Sequence, residues 1–375
     1  MINKFAVENK EMTIQIVRDL CRIPAPSFGE RKRAEFCKAW LENAGAEGVY
    51  IDEVNNVIFP IGCEGSNEIT VVAAHTDTVF PDTESYPEYR EDEENIYCPG
   101  AGDDSSGVAV VLMTAKYFID NGIVPKKGIM FVCNVCEEGL GNLVGVRRIM
   151  KDYEGRVKRF ITYDGTIGSI VTGSVGSHRY EVEVKTPGGH SFGDFGSKNA
   201  IHAISEIISK IYSISVPQKE GSKTTYNVGI IEGGTSVNTI AQQVKMLCEY
   251  RSDDRGCLDV MRAEFERIFE EARADDVIVT VNKIGDRPCK GEVDPAAEKE
   301  MVDVYTAAVA EFIGTGTRDR LSSTDANIPM SLGIPAVCMG VFANKGAHTR
   351  EEYTNKAALT DGLKISLRAL TELLK

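Results

Sequence analysis

The apolar positions of the first 175 residues alternate between helical spacing and continuous runs. Helical spacing is present in "EMTIQIVRDLCRI", "RKRAEFCKAWLENAG" and "SSGVAVVLMTAKYFIDNG". Between these segments lie the continuous apolar runs "EITVVAAHTD", "KGIMFVCNVCEE" and "KRFITYDG". Strands that are apolar on both faces and alternate with helices predict an α/β fold with a mostly parallel sheet, covered by helices on both sides.

The pattern changes from residue 176 onwards. "SHRYEVEVKT" alternates apolar and polar positions, so one face of this strand is expected to contact water. The segments that follow complete the order strand–helix–strand–strand–helix–strand, which is that of a ferredoxin-like βαββαβ unit. After residue 287 the α/β pattern resumes in "PAAEKEMVDVYTAAVAEFIG" and "IPAVCMGVF". The sequence therefore predicts a discontinuous α/β domain of residues 1–175 and 287–375, with an inserted domain of residues 176–286.

Composition narrows the classes of partner and compartment. A formal net charge of −14 disfavours nucleic acid or an anionic membrane surface as the main partner. The sequence contains no run of about 18 apolar residues, so no membrane span is predicted. The first residues lack the apolar core of a secretory signal. The ten cysteines are scattered through apolar segments, as is typical of reduced, buried thiols. A cytoplasmic location is expected.

Two of these cysteines, Cys133 and Cys136, form a C-x-x-C pair. A thioredoxin-like motif would open a helix, and a zinc ribbon would need a second pair. Here the pair lies in a strand-like apolar run. We therefore expect it to pack in the core, with a redox protein as the alternative.

Acidic and histidine side chains follow the predicted strands of the α/β domain. The carboxyl ends of parallel strands meet at one edge of a sheet, where ligands bind. Each group alone has an ordinary explanation, such as a helix cap or a turn. Together at one partly dry edge, their charges would be costly without a cation. The groups are His75, Asp77, Asp103, Asp104, Glu137, Glu138, Asp164 and His348.

The donor set indicates the kind of metal. Two imidazoles and three carboxylates without a thiolate suit zinc, with manganese or cobalt as possible substitutes. One zinc takes about four ligands, so five protein ligands plus water favour two metals that share a carboxylate. In hydrolases such pairs, about 3.5–4 Å apart, activate water.

These segments resemble a known family, the M20 zinc metallopeptidases. The resemblance rests on "AAHTDTV", "GAGDDSSG", "EEGLGN", "YDG" and "GAHTREEYT", together with the inserted ferredoxin-like unit. It covers essentially the whole chain. The family includes tripeptide aminopeptidase (peptidase T), dipeptidases, glutamate carboxypeptidase, and the acetylornithine and succinyl-diaminopimelate deacylases.

The resemblance implies a metal-binding role for five residues. His75 would bind one zinc and His348 the other, and Asp103 would bridge both. Glu138 would complete one site and Asp164 the other. The peptide that follows Asp103 is expected to be cis.

The resemblance also implies roles beside the metals. Glu137 would be the general base, and Asp77 would hold the far nitrogen of His75. His190, in "TPGGHSFGDFG", would stabilise the tetrahedral oxyanion, and in dimeric members the partner subunit supplies this histidine. Asn238 and Arg251 match positions that approach the substrate in relatives.

Some details leave alternatives open. An ordinary salt bridge to Asp253 or Asp254 is the other interpretation of Arg251. Ser105–Ser106 stands where many relatives have a lysine, and a serine there is also found in the M28 and M42 aminopeptidases. The inserted unit and His190 favour M20. Aspartate at 164, rather than glutamate, tends to accompany dipeptidases and aminopeptidases.

The sequence therefore predicts a two-zinc exopeptidase that acts on short peptides, as an aminopeptidase, tripeptidase or dipeptidase. An N-acyl amino acid deacylase or a carboxypeptidase of the same family is the alternative. A non-catalytic metal-binding module is disfavoured, because Glu137 and all five ligand positions are present. Dimerisation of members of the family that the chain resembles, together with the half-apolar strands of the inserted domain, predicts a homodimer through that domain.

Overall fold

The computed structural model of the protein describes residues 1–80 and 89–375. The chain forms two compact units. Met1–Ser174 and Gly291–Lys375 make the large unit, and Val175–Lys290 makes the small unit. These boundaries lie within four residues of the ones that the hydrophobic pattern predicts.

Helices and strands alternate through most of the described chain. The helices are α1 (Ile2–Glu8), α2 (Lys10–Cys21), α3 (Arg31–Asn43), α4 (Ser105–Asp120), α5 (Val144–Asp152), α6 (Ala200–Ile211), α7 (Arg255–Glu271), α8 (Pro295–Ile313), α9 (Asn327–Ser331) and α10 (Lys356–Leu373). The strands are β1 (Tyr50–Ile51), β2 (Val57–Ile61), β3 (Ile69–His75), β4 (Arg90–Glu91), β5 (Asn95–Tyr97), β6 (Gly128–Asn134), β7 (Val157–Tyr163), β8 (Ser169–Ser174), β9 (Gly176–Lys185), β10 (Gly189–His190), β11 (Thr224–Gly233), β12 (Thr239–Ile240), β13 (Gln243–Ser252), β14 (Ile278–Arg287), β15 (Arg318–Ser322), β16 (Ala336–Met339), β17 (Asn344–Lys345) and β18 (Tyr353–Asn355).

The large unit is built on an eight-stranded sheet. Its strand order is β1-β2-β6-β3-β7-β16-β8-β15. The central pairs β6–β3, β3–β7 and β7–β16 are parallel, and so is β8–β15 at one edge. The predicted mostly parallel sheet is therefore confirmed, with antiparallel pairs towards its edges.

Both faces of this sheet are buried. Along β3, Val72 and Ala74 belong to a core shared with α2, α4, α8 and α10. Val71 and Ala73 point to the opposite face and pack in a second core with residues of α5 and α9. Successive side chains of a strand alternate between faces, so a strand covered on both sides is apolar throughout. This arrangement leaves the carboxyl ends of β3, β6 and β7 for polar groups.

The small unit has the predicted ferredoxin-like order. Its four-stranded sheet runs β11-β13-β9-β14, and every neighbouring pair is antiparallel. Helices α6 and α7 lie between β9 and β11 and between β13 and β14 in the chain. Their apolar residues pack on this sheet in a core of their own, around Met246, Phe265 and Ile204.

Two further features bear on the expectations from composition. All ten cysteines lie in the described part of the chain, where they are buried free thiols. Cys133, the last residue but one of β6, belongs to the core of the large unit, and Cys136 is buried just after that strand. Among residues 1–80 and 89–375, no helix combines the length and apolarity needed to cross a membrane.

Candidate metal centre

The carboxyl ends of three neighbouring strands carry the predicted acidic and histidine residues. His75 is the last residue of β3, Glu137 and Glu138 follow β6, and Asp164 follows β7 directly. Asp103 comes from the turn before α4. The sheet order β6-β3-β7 places these strand ends side by side. All of these residues belong to the large unit.

Asp103 lies between the two predicted histidine ligands. Its Oδ1 is 3.1 Å from Nε2 of His75, and its Oδ2 is 3.2 Å from Nε2 of His348. The same Nε2 of His348 is 3.3 Å from Oε1 of Glu138. His75, Asp103 and Glu138 also each offer one ligand atom within 4.8 Å of the others. One carboxylate thus presents one oxygen to each imidazole.

These separations fit a shared metal ligand. In a tetrahedral zinc site with bonds of about 2.0–2.1 Å, two donor atoms lie roughly 3.3 Å apart. The three donor–donor distances around Asp103 agree with that spacing within a few tenths of an ångström. The donor atoms around Asp103 are therefore spaced as the ligands of a metal site are.

The carboxylates of this cluster raise the pKa of both histidines. Burial would lower the pKa of His75, but its hydrogen bonds to Asp103 and Asp77 outweigh burial and raise it. Hydrogen bonds to Asp103 and Glu138 raise the pKa of His348 to about 11. The carboxylates around both imidazoles therefore favour positive charge at this place, which a bound cation would also supply.

Asp164 is held in the same field. Burial, and then the charge of Asp103, raises the pKa of the Asp164 carboxyl to about 7. Glu138 contributes further in the same direction. An acidic group next to unneutralised carboxylates keeps its proton, and a nearby dication reverses that preference.

The two aspartates before α4 have different tasks. The Oδ1 of Asp104 accepts the N–H of Gly107 at 3.1 Å and thereby caps α4, and its Oδ2 accepts the N–H of His75 at 3.1 Å. Asp103 faces the histidines instead. The peptide between the two aspartates is cis, as the resemblance predicts.

Asp77 supports more of the site than the sequence suggests. Its Oδ1 lies 3.4 Å from Nδ1 of His75, but the hydrogen-bond partner of that nitrogen is the backbone oxygen of Asp77, at 3.2 Å. The two carboxylate oxygens accept the backbone N–H groups of Glu137 at 3.0 Å and Glu138 at 2.9 Å. Ser27 donates its hydroxyl to Oδ2 at 2.7 Å. Asp77 thus joins the end of β3 to the two glutamates that follow β6.

The small unit contains the three remaining predicted residues. His190 pairs with Thr239 across β10 and β12, and the backbone oxygen of Asn238 accepts the N–H of Ser191 at 3.0 Å. The structure therefore brings His190 and Asn238 together. The Nδ1 of His190 accepts backbone N–H groups from Phe192 at 3.3 Å and Gly193 at 3.2 Å. A neutral imidazole that accepts at Nδ1 must donate at Nε2.

Arg251 lies elsewhere in the small unit. The strand β13 starts at Gln243, three residues after β12, the strand that pairs with His190. Arg251 is eight residues further along β13, or roughly 26 Å in an extended strand. Its guanidinium makes a two-point ion pair with Glu249, at 2.8 Å from Nε and 3.0 Å from Nη2. The partner is therefore Glu249, which shares a face of the strand with Arg251, and the alternative pairing with Asp253 or Asp254 is wrong. Asp253 accepts the N–H of Lys223 at 2.9 Å, and Asp254 accepts the N–H of Cys257 at 2.9 Å, where it caps α7.

Sequence reasoning missed two carboxylates and a hydroxyl that support the site. Glu30 is buried, and its Oε1 accepts the N–H of Cys136, the residue before Glu137, at 3.1 Å. Glu352 is buried and binds the turn that carries Asp103. Ser27 binds Asp77, as described above. Only their positions in the sequence could have indicated these residues. Ser27 and Glu30 lie in the turn before α3, and Glu352 lies four residues after His348.

Comparison with known proteins gives the family. The model of peptidase family M20/M25/M40 matches residues 71–372, which is most of the chain. The chain belongs to this peptidase family. The resemblance drawn from the sequence motifs is therefore confirmed, and so is the class of enzyme, a metal-dependent exopeptidase.

Individual M20 relatives differ in their described activities. Over 369 residues the chain is 25% identical to a succinyl-diaminopimelate desuccinylase of Corynebacterium glutamicum, and 96% of each chain is covered. A tripeptidase structure from Staphylococcus aureus has a TM-score of 0.75 at 22% identity, over 98% of this chain and 99% of that one.

A third M20 protein has a described metal content. A Bacillus subtilis structure, described as a dinuclear metal-binding peptidase of this family, has a TM-score of 0.66 at 17% identity. The comparison covers 97% of this chain and 98% of that one. These structural similarities confirm the predicted fold.

Proposed function

We propose that this M20 protein is a two-zinc exopeptidase that hydrolyses short peptides with a free amino end. The observation that carries the proposal is the position of Asp103, with one carboxylate oxygen facing each of two imidazoles. Manganese or cobalt would suit the same donors.

The geometry suggests how the ligands divide between two metals. His348, Glu138 and Oδ2 of Asp103 would hold one ion, since Nε2 of His348 lies next to both carboxylates. His75 and Oδ1 of Asp103 would hold the other, together with Asp164. When bound, such a pair lowers the pKa of water to near neutrality and polarises an amide carbonyl.

Glu137 would move the proton. It is buried beside the ligand Glu138, and the contact of its backbone N–H with Asp77 fixes where its side chain starts. In the proposed mechanism Glu137 takes a proton from the attacking water and returns it to the leaving amide nitrogen. One residue then serves as base and acid in turn.

His190 would stabilise the oxyanion of the tetrahedral intermediate. The hydrogen bonds at Nδ1 leave Nε2 as a donor, which is the form this task requires. Its neighbour Asn238 would contact the substrate. Arg251 would also bind the substrate, through guanidinium N–H groups outside its ion pair with Glu249 at Nε and Nη2.

Two observations favour a peptidase, and one favours a deacylase. Aspartate at position 164 and the structural similarity to a tripeptidase favour a peptidase of free-amino peptides. The sequence similarity to a desuccinylase favours the second candidate, an N-acyl amino acid deacylase with the same site. Fold and metal chemistry are common to both activities.

A substrate panel separates the two candidates. We expect zinc-loaded protein to cleave tripeptides or dipeptides with a free amino end, and Glu137→Ala to abolish that cleavage. Activity would be followed by the release of free amino acids. Cleavage of N-acetyl or N-succinyl amino acids alone would contradict the peptidase assignment and support the deacylase. Peptide cleavage that survives in Glu137→Ala would contradict the assignment of Glu137 as the general base.

We also propose that the protein is a cytoplasmic homodimer formed through the small unit. The free cysteines suit a reducing compartment. The strand β11 lies at the edge of its sheet and exposes Ile230 and Ile231. We expect sedimentation at micromolar concentration to give a dimer, and Ile231→Lys to shift it towards the monomer. A wild-type monomer would contradict this proposal.

A further inference from the structure

Glu352 makes a concentrated set of hydrogen bonds beside the metal centre. Its Oε2 accepts the backbone N–H of Gly100 at 2.6 Å. Its Oε1 accepts those of Gly102 at 3.1 Å and Asp103 at 2.9 Å. Asn344 donates its side-chain amide to the same oxygen at 3.2 Å. One carboxylate thus binds four donors.

The carboxylate joins two distant parts of the chain. Residues 100–103 form the turn that ends in the bridging aspartate, and Glu352 follows His348 by four residues. The backbone oxygen of Glu352 also accepts the N–H of Cys98 at 3.0 Å. The next residue starts β18, which pairs with β5. Both the backbone and the side chain of Glu352 therefore bind the segment from Cys98 to Asp103.

The side chain of Glu352 is buried, with 1% of its surface exposed. Water cannot replace its contacts, so each of the three turn N–H groups depends on this carboxylate. Asn344 also packs tightly against the turn, since a Cβ on Gly102 would lie 2.4 Å from that of Asn344. The turn has little freedom to move.

We propose that Glu352 is a positioning residue, which fixes the backbone of Asp103 so that its two oxygens face both metals. The inference rests on the proposed two-metal function. It assigns to Glu352 no contact with metal or substrate. The carboxylate acts through the turn from Gly100 to Asp103, and it ties that turn to the segment carrying His348.

The variant Glu352→Gln tests the role. The glutamine amide has one acceptor oxygen, and its nitrogen must face either the N–H of Gly100 or the donors on the other side. At least one buried N–H then lacks an acceptor. Replacing groups that orient metal ligands typically weakens metal binding by about 10- to 100-fold. We expect a loss of zinc affinity in that range, measured by competition with a chromophoric chelator.

A matched control separates positioning from general loss of stability. Asp52 also accepts three donors, the N–H groups of Val54 at 3.0 Å and Asn56 at 2.9 Å and the side-chain amide of Asn56 at 2.7 Å. We expect Asp52→Asn to lower the Tm of the metal-free protein without changing zinc affinity. A second variant, Glu352→Asp, keeps the charge but is one methylene too short to reach all four donors. It should weaken zinc binding as well.

The outcomes distinguish this inference from the proposed function. Zinc affinity of Glu352→Gln and Glu352→Asp within threefold of the wild type would overturn the inference and leave the proposed function intact. An equal loss in Asp52→Asn would overturn it too. A wild type that binds no zinc would overturn both. Zinc binding that is weakened in both Glu352 variants but not in Asp52→Asn supports the inference, whichever substrate the enzyme takes.

Discussion

Replacing Glu137 with glutamine is expected to lower kcat for the cleaved substrate by about 10²–10⁴, which is the usual contribution of a general acid–base group. Glutamine has nearly the same shape as glutamate, but it cannot accept the proton of the attacking water. The backbone N–H of residue 137 can still bind Asp77, as it does at 3.0 Å in the wild type. The variant should therefore fold and retain the arrangement around β6.

The measurement compares kcat, KM and metal content. Because Glu137 is assigned no bond to metal, its replacement should leave the zinc stoichiometry unchanged and KM within a few-fold. A matched control is Glu154→Gln, an exposed residue of the large unit, which should leave all three quantities unchanged. Full activity in Glu137→Gln would remove this residue from the mechanism. Loss of zinc together with activity would instead make residue 137 a metal ligand.

Much of the fold could be predicted because the strongest periodic segments coincide with buried elements. The run "QVKMLCEYRS" is β13 from its first residue to its last. The continuous apolar runs became the central strands β3, β6 and β7, since both faces of these strands are covered. Local pattern and tertiary burial agree in these segments.

The pattern of apolar residues did not predict the strands near the sheet edges. β15 reads "RDRLS", and most of its residues are exposed, so its apolar content does not mark it as a strand. β2 contains Pro60, which usually argues against a strand. Here β1 pairs only with Val57 and Ile58, so Pro60 lies where β2 has no neighbour on that side. Pairing partners, not local pattern, make these segments strands.

The site, too, could be predicted only in part from the sequence. The grouping of its acidic and histidine residues could be predicted, because strand order alone brings the ends of β3, β6 and β7 together. The supporting contacts could not, because they depend on side chains from distant segments. Glu352 reaches the N–H of Asp103 across 249 positions of the chain, and Ser27 reaches Asp77 across 50. Spacing in the sequence contains no record of such contacts.

Replacing Asp103 with asparagine is expected to reduce zinc binding from two ions per chain to at most one. The two oxygens of Asp103 lie 3.1 and 3.2 Å from the Nε2 atoms of His75 and His348. An asparagine amide offers one oxygen, so it can serve only one of the two metals. Activity should fall at least as far as in Glu137→Gln, since the bridged pair is lost.

Thermal unfolding gives a readout that does not depend on substrate. A ligand at about a thousand times its Kd stabilises the native state by about 4 kcal/mol, so zinc should raise the Tm of the wild type clearly. We expect a smaller rise in Asp103→Asn, and an unchanged one in Asp303→Asn, which alters an exposed carboxylate on α8. Two bound zinc ions in Asp103→Asn would contradict a bridging role, because only a group with two equivalent donor atoms can face both imidazoles in this arrangement.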